Sequence, residues 1–332
     1  MMIKNISIIG AGAWGTALAM VAAKNGHKVK LLARDETQVQ RINEFGFNER
    51  YLPGVKLGPQ IMASVSANII NQADAILIAM PTQHIRVTLT AIKNHWPFGI
   101  PAVICAKGIE QSTGLRPSEI VQQILDDVPV AILSGPSFAI EVANGQPTAI
   151  TLACTDQKIS NQLTQSLGNS HFRIYQSNDV TGAEIGGAVK NVIAIACGVI
   201  HGRKLGDNAR AALITRGLAE ISRLAERLGG RAETLMGLSG LGDLLLTCTA
   251  MQSRNFSLGV ELGQGLSLDD ILNRRITVAE GVYTAQSVTH LAHRQNIDMP
   301  ICQAVMNILY QNADIDDTIG QLLSRPPRPE TE

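Results

Sequence analysis

Net charge is the first thing this chain lacks: 28 lysines and arginines are matched by 28 aspartates and glutamates over 332 residues. That balance removes the electrostatic reason to expect a nucleic acid or an anionic membrane as partner, and leaves room only for a local basic pocket holding a small anion. Paired cysteines are missing too. The five, at 105, 154, 197, 248 and 302, are odd in number and scattered, with no C-x-x-C spacing. Buried thiols in a reducing compartment are therefore expected, not disulfides or zinc ligands. No apolar run reads as approaching the ~18 residues of a spanning helix, and Met1-Met2-Ile3-Lys4-Asn5 leads directly into a strand pattern. The expectation is a cytoplasmic protein with no stable membrane insertion. Internal repeats and low-complexity tracts are absent as well. What the chain does have is 45% hydrophobic against 17% charged residues, the balance of a folded globular protein. Its length exceeds what one core usually organises, so two domains are expected.

The most informative stretch is Ile6-Ser7-Ile8-Ile9-Gly10-Ala11-Gly12-Ala13-Trp14-Gly15. An apolar run breaks into G-x-G-x-x-G and continues as a helix pattern, and a second strand pattern, Lys28 to Leu32, follows Asn25-Gly26. Gly10 would permit the sharp turn, Gly12 would let a pyrophosphate approach the backbone, and Gly15 would let helix and strand pack closely. The anion would sit on free N–H groups at the helix N-terminus. Further strand patterns at 73–79, 101–106, 130–133, 149–153 and 172–175 alternate with helical ones. Near-continuous apolar strands of this kind imply a mostly parallel sheet covered on both faces. The alternation stops near Ser177-Asn178-Asp179. The expected fold class is α/β, an N-terminal Rossmann-type domain over 1–180, followed by an all-α C-terminal domain over 181–324 and a disordered tail over 325–332.

Cofactor choice is read at the end of the second strand, Leu32-Ala33-Arg34-Asp35. Arg34 could pair with a 2′-phosphate, Asp35 could accept from a ribose 2′-hydroxyl, and both could instead belong to the start of the next helix. The reading favours NADP, with NAD tolerated. Four other groups carry chemistry. Lys107-Gly108 follows a strand directly and puts a cation at the sheet edge where ligands bind, although a solvated loop lysine has the same signature. Ser134-Gly135-Pro136-Ser137 could offer N–H groups and a hydroxyl, or simply start a helix. Lys190, on a helix, has Gly186, Gly187, Ile193 and Ala194 as its neighbours at i±3 and i±4. With no polar group among them, its ammonium would be desolvated and its pKa lowered toward proton-transfer use, unless it snorkels to solvent. Asp243 sits at a glycine-flanked helix start, where an N-cap is the ordinary explanation. Ser253-Arg254-Asn255 groups a planar cation with two hydrogen-bonding side chains, suited to phosphate or carboxylate and equally to a solvated turn.

Together these blocks resemble the NAD(P)-dependent glycerol-3-phosphate dehydrogenases, particularly the bacterial type. The resemblance runs from Gly10–Ala17 through Ala106-Lys107-Gly108, Ser134–Ser137, Gly187–Asn191, Gly240–Leu244 and Gln252–Asn255 to Val278-Ala279-Glu280-Gly281. It implies reversible hydride transfer between a nicotinamide and dihydroxyacetone phosphate, giving sn-glycerol 3-phosphate for phospholipid synthesis. It further implies Lys190 as catalytic acid and base, and substrate contacts from Lys107, Gly135, Ser137, Lys190, Asp243, Ser253, Arg254 and Asn255. Besides Gly10, Gly12 and Gly15, cofactor contacts are implied for Ala13, Trp14, Arg34, Lys107, Ala139, Arg254, Val278 and Glu280. Phe256-Ser257 departs from the basic pair common after Asn255 in the bacterial type, which puts the strength of anion steering in doubt.

Competing readings are a Rossmann enzyme of the β-hydroxyacid dehydrogenase or ketopantoate reductase kind, and a nicotinamide-sensing module without catalysis. Ser253-Arg254-Asn255 argues for a phosphorylated substrate against the first, and Lys190 argues against the second. Metal is not expected: His290 and His293 share a helix face with no third ligand. The small-residue helix faces fit an interdomain cleft and a homodimer contact equally well.

Overall fold

Alternate residues of the strands belong to two different cores, which is why the strands read as unbroken apolar runs. Ala75 and Leu77 face one side of the sheet, Ile76 and Ile78 the other, and all four are buried. The computed structural model describes residues 3–275, 279–326 and 329. Among them, β1 (Asn5–Ile9), β2 (Lys28–Leu32), β3 (Ile61–Ser64), β4 (Ala75–Ile78), β5 (Ala102–Ile104), β6 (Val130–Ser134), β7 (Thr148–Cys154) and β8 (Phe172–Ser177) form a sheet. The order is β3-β2-β1-β4-β5-β6-β7-β8. Neighbours are parallel except for β6 and β7.

Two features of this mostly parallel sheet were not specified by the sequence reading. The strand β3 escaped it, because four residues with Met62 half in solvent make a weak edge pattern. The β6–β7 pair is antiparallel because only the five-residue helix Ala139–Ala143 lies between them, too short for a crossover. Strand order reverses between β1 and β4, which opens a crevice at the carboxyl edge. The turn after β1 and the loops after β4, β5 and β6 all end there.

Past β8 the described chain is helical. Asp179 accepts from the Gly182 N–H at 2.8 Å and from the Arg231 N–H at 2.8 Å, starting the helix Val180–Gly202. This helix corrects the reading that no apolar run approaches spanning length: its 23 residues are long and apolar enough to cross a membrane, yet most of them are buried inside the protein. It is apolar on all sides because other helices enclose it, the situation of a core helix. The closest approach is to the helix Arg254–Gly263. A Cβ on Gly198 would lie 2.1 Å from the Phe256 carbonyl oxygen, and one on Gly259 would lie 2.1 Å from that of Ile195. Gly198/Gly202 thus face Gly259/Gly263, so this small-residue face is used within the chain. Of the tail expected to be disordered, 327, 328 and 330–332 lie outside the described residues, and Arg325 pairs with Asp298.

Candidate active site

The glycine turn is built as an anion cradle. Gly10 has φ +112°, and a Cβ there would sit 2.7 Å from the Ala79 carbonyl oxygen after β4. A Cβ on Gly15 would sit 1.9 Å from the Gly10 carbonyl oxygen. Helix α1 (Ala13–Lys24) has Gly12 as N-cap, with no side chain bonded to its first N–H groups and nothing within 4 Å of a Cβ at Gly12. Free donors at a helix start, open space in front of them and the neighbouring Trp14 Nε1, buried without a partner, fit a pyrophosphate group. Arg34 is exposed just beyond β2. Asp35 is the N-cap of α2 (Glu36–Phe45), accepting from the Thr37 and Gln38 N–H groups.

Across the crevice, two lysines share one carboxylate. Lys107 Nζ, reaching from the end of β5, donates to Asp243 Oδ2 at 2.6 Å and to the Gly135 carbonyl at 3.1 Å. Lys190 Nζ, from the middle of the helix Val180–Gly202, donates to Asp243 Oδ1 and to Thr247 Oγ1, the latter at 2.7 Å. Lys190 is 6% exposed and Asp243 1%, so the lysine does not snorkel. Asp243 is not an N-cap either. The π-helical turn Leu238–Gly242 runs straight into the helix Asp243–Thr249, and the carboxylate is spent on the lysines instead. Burial pushes the Lys190 ammonium down to about 8, against the attraction of Asp243, with Lys107 adding a smaller push down.

Family models for NAD-dependent glycerol-3-phosphate dehydrogenase match residues 5–160 with the N-terminal domain and 179–320 with the C-terminal domain. The chain belongs to this family. It is 54% identical over 330 residues to the glycerol-3-phosphate dehydrogenase [NAD(P)+] of Rhodospirillum rubrum, covering 99% of this chain and 95% of the relative. The Parvibaculum lavamentivorans enzyme of that name is 50% identical over 328 residues, covering 99% and 98%. A crystal structure of glycerol-3-phosphate dehydrogenase from Coxiella burnetii superposes with a TM-score of 0.94 at 39% identity, covering 97% and 99%.

Within that family frame, the remaining expected site residues that the structure describes fall on the same crevice in different states. Gly135, at φ +152°, brings its carbonyl to Lys107, and Ser137 Oγ donates to the same carbonyl at 2.9 Å. Ala139 opens the short helix after them. Ser253, instead of lying in a solvated turn, caps the helix Arg254–Gly263 by accepting from the Phe256 N–H. The Asn255 amide is committed to protein, donating to Asn191 Oδ1 and accepting from the Gly281 N–H, both at 2.9 Å. Arg254 keeps an exposed side chain; crowding by surrounding protein lowers its pKa, and Glu280 opposes that. Glu280 accepts from the Thr82 N–H at 3.2 Å, and burial raises its carboxyl to about 7 against that bond and the charge of Arg254. Val278 lies outside the described residues.

Three residues that sequence reasoning passed over complete the site. Asn191 donates to the Lys107 carbonyl at 3.1 Å and ties that strand end to Asn255. Thr247, one turn after Asp243, donates to the Asp243 carbonyl at 2.6 Å while accepting from Lys190. Thr82 anchors Glu280. The i,i+4 spacing of Asp243 and Thr247 was a usable signal; Asn191 and Thr82 had none. Among the described residues no three His, Cys, Asp or Glu gather as a metal group. A recess of about 410 Å³ lies beside Lys24, Asn144 and His171 and is lined by none of these residues.

Proposed function

We infer that this chain is an oxidoreductase that reversibly reduces dihydroxyacetone phosphate to sn-glycerol 3-phosphate with NAD(P)H, NADPH being favoured, and supplies glycerol phosphate for phospholipid synthesis. The observation that carries the reading is the buried Lys190–Asp243–Lys107 bridge facing the glycine turn at one sheet edge. Bound nicotinamide supplies the hydride. Lys190 is the general acid: as charge grows on the carbonyl oxygen, its ammonium stabilises that charge and gives up a proton, and in the reverse direction the neutral amine takes one. Its lowered pKa makes both forms accessible near neutrality. Asp243 and Thr247 hold the Nζ in place, and Lys107 adds a second cation on the substrate side. Arg254, with Ser253 and Asn255 shaping the helix start around it, takes the phosphate, whose binding energy orients the remote carbonyl. Gly135 and Ser137 contribute to the substrate side. Gly10, Gly12, Ala13, Trp14 and Gly15 take the pyrophosphate, while Arg34, Ala139, Val278 and Glu280 line the rest of the cofactor site.

The division of labour we propose sets a cofactor domain over 1–180 against a substrate domain over 181–324, in a cytoplasmic enzyme. Following NADPH oxidation with dihydroxyacetone phosphate beside unphosphorylated 2-keto and 3-keto acids tests the whole reading. Turnover of the phosphorylated ketone alone is expected; activity confined to the keto acids would remove it.

A further inference from the structure

A carboxylate at the end of β2 ordinarily accepts the ribose 2′-hydroxyl of NAD and repels the 2′-phosphate of NADP. Asp35 stands at that place, yet both of its oxygens are engaged. Oδ1 accepts from the Thr37 and Gln38 N–H groups at 2.9 and 3.3 Å, and Oδ2 accepts from Arg50 Nη1 at 3.2 Å. Arg34, next to it, is exposed and has no ion pair among the described residues. Arg50 arrives from the loop after α2, and that loop is fastened to the glycine turn. Asn48, 2% exposed, donates to the Ala11 carbonyl at 3.0 Å and to Thr16 Oγ1 at 2.7 Å, and its Oδ1 accepts from Gln38 Nε2 at 3.1 Å. Gln38 also reaches the Ala11 carbonyl, at 2.6 Å. The guanidinium lies 5.4 Å over the Tyr51 ring, which limits its swing.

We propose that Arg50 is a specificity-determining residue for the cofactor: by pairing with Asp35 it cancels the charge that would exclude a 2′-phosphate, and with Arg34 it makes a two-cation site for that phosphate. The proposal rests on the dehydrogenase reading above and goes beyond it in naming what sets the choice between NADP and NAD. The asymmetry is physical. A carboxylate that is capping a helix and paired with arginine offers little to a ribose hydroxyl, while a guanidinium with its other nitrogens in solvent offers a phosphate bidentate contacts.

The test is direct binding of NADPH and NADH to the purified full-length chain, read by cofactor fluorescence without turnover. The wild type should bind both, NADPH at least as tightly. Arg50→Ala should weaken NADPH about 10-fold or more and NADH less than about 3-fold, because it both removes a contact with the 2′-phosphate and uncovers the Asp35 charge that repels it. Adding Asp35→Asn keeps a helix-capping oxygen while removing the charge, and should return the part of the lost NADPH affinity that comes from the uncovered carboxylate, leaving the part owed to the missing Arg50 contact. Arg50 and Asp35 are surface groups, so thermal unfolding should hardly move. Equal weakening for both cofactors, no weakening, or no recovery with Asp35→Asn would overturn the proposal while leaving the enzyme class standing. A wild type that binds neither cofactor would overturn the dehydrogenase reading, and this proposal with it.

Discussion

At the lysine centre, Lys190 and Asp243 are sealed between helices, with side chains 7% and 1% exposed, and the lysine's charge is held by a carboxylate and a hydroxyl. At the open end, just beyond β2, Arg50 and Asp35 keep 55% and 41% of their side chains in solvent. The same kind of pair, cation on carboxylate, therefore has two different energies. In the sealed site, losing Asp243 strands the Lys190 charge away from water, at a cost of about 3–5 kcal/mol, while losing Lys190 leaves the carboxylate its Lys107 partner. In the open one, water and salt take over most of the work, and an exposed pair is worth about 0–1 kcal/mol. A sealed pair suits the proton transfer proposed for Lys190, and an open pair suits the cofactor discrimination proposed for Arg50.

The largest expected effect tests the sealed end. Lys190→Met should keep folding and cofactor binding and lower kcat by roughly 100-fold or more, the scale of a lost general acid. Near-normal kcat in a folded variant would move the role elsewhere, Lys107 first. The wild type should carry the signature of Lys190 in its pH dependence. With the ammonium pushed down to about 8, ketone reduction, which needs the proton, should fall as pH rises through about 8. Alcohol oxidation, which needs the free amine, should rise through the same pH. Stability follows the same group: between about 8 and the ordinary 10.5 the unfolded chain holds a proton that the folded one has lost, so stability rises with pH there. Lys190→Met should flatten that slope in a thermal-unfolding series.

Arg254 stands between the two extremes, open to solvent yet crowded by protein. Its loss should remove a charge-assisted contact worth about 1.5–3 kcal/mol, so kcat/KM for dihydroxyacetone phosphate should drop roughly 10- to 150-fold in Arg254→Ala, toward the lower end given its exposure. Activity on unphosphorylated dihydroxyacetone should hardly change. Equal losses on both would make Arg254 a support for cofactor or fold.

The contrast also explains what could be read from residues alone. Local patterns carried the glycine turn, seven of the strands and the odd apolar setting of Lys190, because each is written within a few neighbouring positions. The Asp243 bridge was not readable that way: helix-start position argues for a cap, and only the packing of Val180–Gly202 and of the chain after β5 against Asp243–Thr249 brings two lysines to one carboxylate. Asn191 meeting Asn255, and Thr82 meeting Glu280, are likewise contacts across 64 and 198 residues. The short edge strand β3 and the direction of β7 were not readable for another reason: the pattern of β3 is brief, and a strand's direction is set by its partners.

The smallest expected effect belongs to the open end. Arg34 has an exposed side chain at the end of β2 and no ion pair to lose among the described residues, so Arg34→Ala should leave stability unchanged. Its contact with a 2′-phosphate would be screened by solvent, and the KM for NADPH should rise only about two- to fivefold, with the KM for NADH constant. Raising the salt concentration should shrink the difference between wild type and variant, since an exposed charge contact is the kind that salt removes. A loss on the scale of Lys190→Met would mean that this end becomes sealed once cofactor binds, and the contrast between the two ends would then hold only for the free protein. An unchanged NADPH preference would take Arg34 out of the phosphate site and leave Arg50 as its cation.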